Sequence, residues 1–130
     1  MLVRFRRVTG LSAAFAIVFL IGTAQTQSSW TEFFDNGRGG HFYFSPSSVQ
    51  RAGRTVRVKW YSSISVGDET QVYLSEIDCS RQTTRNLSVD RFNARSGSYI
   101  GTVDLGDGDD NPADSIDRGS MGDYLAQRVC

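Results

Sequence analysis

The sequence predicts an α+β fold: a five- or six-stranded antiparallel meander followed by one C-terminal helix. Three observations predict it. Short extended segments, the clearest with period-two alternation, recur between clusters of Gly, Ser and Asn. Near the C-terminus the spacing of apolar residues changes to that of a helix. Finally, two cysteines, Cys79 in the middle and Cys130 beyond the helical stretch, can staple one to the other.

Residues 1–24 stand apart from that fold. Arg4, Arg6 and Arg7 precede an apolar run from Leu11 to Ile21, and Gly22 and Ala24 then stand at the −3 and −1 positions of a cut. Basic, apolar and small residues in that order make a secretory signal peptide. The alternative is an uncleaved anchor helix, but the run falls short of the roughly 20 residues of a span. The expected mature chain, 25–130, is exported, without a membrane span, to the periplasm or the cell surface. Removing the three arginines leaves 11 Lys+Arg against 14 Asp+Glu, a net charge of −3. That balance excludes a general nucleic-acid binder, whose phosphate contacts need a basic surplus.

The elements follow in order. "SSWTEFF" supplies Trp30, Phe33 and Phe34 to a first strand. "DNGRGG" is a turn, rich in residues that tolerate positive φ. "HFYF" is a second, wholly aromatic apart from His41. "SPSSVQRAG" reads as a connection, because Pro46 bars a central strand and Gly53 suits a turn. In "TVRVKWYS", Val56, Val58 and Trp60 alternate with Arg57, Lys59 and Tyr61, so one face is buried and one wet. After a turn at Gly67-Asp68, "QVYLSEIDC" puts Tyr73, Ser75, Ile77 and Cys79 on one face and Val72, Leu74, Glu76 and Asp78 on the other. Its inward side is left open by that mixture. "TTRNLSVDRF" and the segment Tyr99 to Val103 complete the meander. The acidic stretch 104–117 is a loop. Ser120 is then a helix N-cap with Asp123 three residues on, and Met121, Leu125 and Val129 form a stripe. About ten residues make a marginal helix in water, so packing and Cys130 must hold it.

In an oxidising compartment the two cysteines read as one disulfide. The loop-entropy model assigns such a closure, about 50 residues, roughly 4 kcal/mol. Two separate thiols, one joining a partner chain, are the alternative.

Catalytic chemistry finds no purchase. His41 is the only histidine and no nucleophile-elbow pattern frames a serine. One histidine and two paired cysteines leave no zinc spacing, and no cofactor is expected. Asp107, Asp109 and Asn111 imitate the start of a calcium loop, but Pro112 and Arg118 occupy its glycine and glutamate positions. The residues that suggest binding are basic. Arg51, Arg54, Arg57 and Lys59 lie close together, with Arg81, Arg85, Arg91 and Arg95 as a second group. The expected patch is Arg51, Arg54, Arg57, Lys59, Tyr61 and Arg85, with Tyr73 and Phe92 as further anchors. A wet, shielded sheet face is the plainer reading of the same residues.

Several stretches, taken in order, resemble the surface-adhesin E-like proteins of Gram-negative bacteria. They are Trp30, "FYFSPSSV", "RAGRTVRVKWY", "YLSEIDC" followed by "RQTTRNL", and "SIDRGSMGDYLAQRVC". The resemblance covers nearly all of 25–130. It implies an antiparallel sheet with the C-terminal helix disulfide-bonded onto its concave face. It also implies a non-catalytic module that binds a host extracellular-matrix protein; the basic patch suits an acidic glycan as well, and its segregation from the acidic loop favours self-association as a homodimer. The alternative is a periplasmic structural or accessory protein of the envelope with no host ligand. Where the family carries a tryptophan and a proline before the last helix, this chain has "DSIDRGS", with Arg118 in the proline's place.

Overall fold

The computed structural model describes residues 29–130, so the expected leader, 1–24, lies outside the described residues. The strands are β1 (Thr31–Asp35), β2 (His41–Phe44), β3 (Gln50–Ala52), β4 (Thr55–Ser62), β5 (Glu69–Asp78), β6 (Thr83–Asn93), β7 (Tyr99–Asp104) and β8 (Asp114–Ser115). One helix, α1 (Met121–Val129), follows. All pairings are antiparallel, in the order β1-β2-β4-β5-β6-β7. This is the expected meander in one curled sheet.

Two segments read as connections are strands instead. Pro46 opens a short 3-10 turn, Pro46–Ser48, and leaves Gln50–Ala52 free to pair with β4. Asp114–Ser115, inside the acidic loop, pairs with β6. The reason is ladder length. β4 has eight residues, but β2 covers only Trp60 to Ser62; β3 takes Thr55 to Arg57, and the connection between them bonds Lys59 through Ser45 and Ser48. β6 has eleven, β7 covers Ser88 to Phe92, and β8 covers Thr83 and Thr84. Backbone polar groups left along a long strand need partners, and short strands supply them.

Alternation in β4 does what its pattern dictates. Val56, Val58 and Trp60 are buried, while Arg57 and Lys59 are exposed. The neighbouring register then decides the open question in β5. Trp60 faces Tyr73, Val58 faces Ser75 and Val56 faces Ile77, so the Tyr73–Ser75–Ile77 side is inward. Phe33 and Phe44 extend this inner face, and Leu125, Ala126 and Val129 of α1 close it. The helix lies on the concave side of the sheet. Cys79, next after β5, is bonded to Cys130, next after α1, with Cα atoms 5.7 Å apart. The helix start is capped as its residues suggest. The Ser120 hydroxyl accepts from Asp123 N–H at 3.2 Å, and the Asp123 carboxylate accepts from Gly119 N–H at 2.8 Å.

Three bulges break the alternation; the one between β6 and β7 leaves Ile100 extra between Tyr99 and Gly101, which face Phe92 and Arg91. In β6, Leu87 is the extra residue between Asn86 and Ser88, which face Ser75 and Leu74. Leu87 thus lines the outer side with Leu74 and Arg57. In β1, Glu32 faces Tyr43 and Phe34 faces Phe42, so Phe33 is extra. Both phenylalanines then pack against Phe42, with ring centroids 6.3 and 5.5 Å away. Phe34 also meets Tyr124 of α1 at 5.1 Å.

Candidate binding face

Opposite the helix, the outer face carries the even-numbered residues of β5 and the charged residues of β4. Register aligns Arg57, Glu76 and Arg85 in one row across β4, β5 and β6. Arg57 Nε donates to Glu76 Oε2 at 3.2 Å, and Arg85 Nη2 donates to Glu76 Oε1 at 2.8 Å. Arg85 also reaches the Asp107 carbonyl at 2.6 Å and ties the acidic loop to the sheet. Lys59 Nζ stands 3.9 Å from Asp90, and Arg54 Nε stands 3.3 Å from Asp78. Asp78 also accepts from the Arg81 and Ser80 N–H groups. The Arg81 bond above all, with the Arg54 charge, holds its carboxyl below the ordinary 3.8.

The expected patch is therefore divided. Arg57, Lys59 and Arg85 come together, but as members of a mixed-charge lattice. Arg51 faces Val56 in register, so it stands on the other side of the sheet from Arg57. Tyr73 is on the inner face, stacked on Trp60 at 4.6 Å. Tyr61 is on the outer face, edge-on to Trp30 at 4.8 Å and stacked on Tyr43 at 5.1 Å. Partial burial there raises its phenol pKa above 10.0.

Two adjoining grooves follow this face and share Leu74. One, of about 500 Å³, is lined by Trp30, Ser47, Gln50, Lys59, Val72 and Phe92 among others. The other, of about 350 Å³, is lined by Arg57, Leu87, Ser88, Thr102 and Asp104 among others. The floor is apolar and the rims carry both signs of charge. Leu74, Leu87 and Val72 were not singled out as binding residues in the sequence. Val72 and Leu74 stand there half-buried because β5 turns its other side inward, and the buried Leu87 because of the β6 bulge.

At the far end of β1 and β2, the bulge has a second effect. In a regular strand Glu32 and Asp35, three apart, would face opposite ways. The extra residue brings both beside His41. His41 Nδ1 lies 2.7 Å from Glu32 Oε1 and 3.9 Å from Asp35 Oδ2. The Glu32 hydrogen bond raises the histidine pKa above 6.5. Ser63 Oγ accepts from the His41 backbone N–H at 2.9 Å, so this serine holds the main chain and is not paired with the ring. The acidic loop brings no comparable set together. Its Asn111 amide donates to the Asn86 and Gly106 carbonyls at 2.6 and 2.8 Å and closes the loop on itself. No helix among the described residues is long and apolar enough to cross a membrane.

A family model described as surface-adhesin protein E matches residues 30–130. No curated protein and no solved structure matches the chain.

Proposed function

The chain belongs to the surface-adhesin protein E family, and from that premise we propose that it is an exported, non-catalytic module that binds an extracellular-matrix protein through its outer sheet face. The make-up of that face carries the reading. Trp30, Val72, Leu74 and Phe92 lie beside Lys59 and Asp90 in one groove, and the Arg57–Glu76–Arg85 row borders it. Protein contacts draw affinity from aromatic anchors and specificity from complementary charge. A polyanionic glycan fits this face less well, because it would meet Glu76, Asp78, Asp90 and Asp104 among the basic residues.

Two measurements test the proposal together. Protease shaving of intact cells, with a lysed control, is expected to cleave the chain before lysis. Purified protein is expected to be retained on an immobilised matrix protein and not on heparin, with retention weakened by Lys59→Glu and by Phe92→Ala. Protection until lysis would transfer the chain to the alternative role, an accessory protein of the periplasm. Retention on heparin alone would replace the protein ligand by a glycan.

A further inference from the structure

We propose that Glu32, Asp35 and His41 form a surface site for a divalent transition-metal ion, with Zn²⁺ as its representative. Imidazole nitrogen and carboxylate oxygen are both ordinary zinc donors, and three protein ligands with solvent completing the shell is a recognised arrangement. One donor atom from each residue lies within 4.8 Å of the other two. With bonds of about 2.0–2.2 Å, two ligand atoms on one ion stand at most roughly 4.4 Å apart. The 2.7 and 3.9 Å separations from His41 Nδ1 lie inside that limit. Small side-chain rotations bring in the third.

The site is held from behind. Asp35 Oδ1 accepts from Gly37 N–H at 2.8 Å, which leaves Oδ2 turned to His41. The His41 main chain is fixed on both sides by Ser63, whose Oγ accepts from its N–H and whose own N–H donates to its carbonyl at 2.8 Å. Asp35 and His41 are direct partners in the β1–β2 ladder. Groups that orient ligands in this way strengthen metal binding. Access is open, since the Glu32, Asp35 and His41 side chains are 46, 55 and 40 % exposed.

Charge supplies a separate argument. In β5 and β6 the carboxylates Glu69, Glu76, Asp78 and Asp90 each have an arginine or lysine partner. Among the described residues, the side chains of Glu32 and Asp35 ion-pair with His41 alone. Once the imidazole gives up its proton, the two carboxylates around it hold a charge that a divalent cation neutralises. Bound metal takes the place of the proton between His41 and Glu32.

His41 is the only histidine, so its ring signals in an NMR spectrum need no assignment. Untagged, chelator-treated protein is titrated with ZnCl₂, by calorimetry and by imidazole NMR in parallel. One ion per chain is expected, with the His41 ring signals shifting on the same curve as the heat. His41→Gln should abolish that binding, and Glu32→Gln or Asp35→Asn should weaken it at least about tenfold. Zinc that binds without moving the His41 signals, binding that survives His41→Gln, or no binding at all would each overturn the proposal. The wild-type NMR arm decides the matter even if a variant fails to fold.

Discussion

Trp60 donates its indole Nε1–H to the hydroxyl of Ser75 at 2.7 Å, and the Ser75 hydroxyl donates in turn to Asn86 Oδ1 at 2.6 Å. Three strands are thereby joined through one buried hydroxyl, 2 % exposed. Ser75→Ala would leave the indole N–H and the amide oxygen without that partner. Such losses cost about 1–3 kcal/mol each when buried. The variant should unfold at lower urea concentration, with a change in Trp60 fluorescence. An unchanged midpoint would mean that water replaces the hydroxyl at no cost.

The bond between Cys79 and Cys130 should be worth more than any single polar contact. Cys130→Ser is expected to lower stability by about 2–5 kcal/mol. Loss of helix should precede loss of the sheet, because α1 presents only a short buried stripe, Leu125, Ala126 and Val129. Denaturation followed by circular dichroism checks both statements. A single transition at the wild-type midpoint would contradict them.

Phe33 is the inserted residue of β1, yet it is 7 % exposed and packs against Phe42 and Phe44. Phe33→Ala should therefore cost about 3–5 kcal/mol, as for a large buried aromatic. The same change at Phe92, which lines the outer groove, should cost less. Equal losses at the two positions would argue against the assignment of inner and outer faces.

Acid should weaken the turn after β5. The Asp78 pKa is lowered from 3.8, first by the Arg81 backbone N–H and also by the Arg54 charge. A depressed carboxylate contributes stability that is present above its unfolded pKa and is lost as pH falls through the folded one. The window thus opens near 3.8 and extends below it. Thermal melts across that range should fall more steeply for wild type than for Asp78→Asn. Parallel curves would remove Asp78 from the account.

Strict alternation over 55–62 is enough to place β4, because branched and aromatic residues on one side meet Arg57 and Lys59 on the other. The same logic stalls at β5, where each side offers both apolar and polar residues. Only pairing with β4 settles it, through contacts far apart in sequence. The basic patch failed to stay whole for the same reason. Spacing brings arginines near one another, but register puts Arg51 across the sheet from Arg57 and sets Glu76 between Arg57 and Arg85. Bulges leave the weakest trace. "EFFD" contains no glycine or proline to announce one, and two adjacent phenylalanines are its sole hint.

The bulge at Phe33 works as a phase shift in the inside–outside rhythm of the chain. Residues before it and after it keep opposite beats. A point substitution cannot undo that offset, whereas removing one residue would. Deleting Phe33 would return the strand to step, with Glu32 and Asp35 two apart and still on one side. The loss of a single codon would thus take away the double phenylalanine contact and leave the cluster around His41 on one side of the sheet, so the inserted residue serves the core and not the cluster.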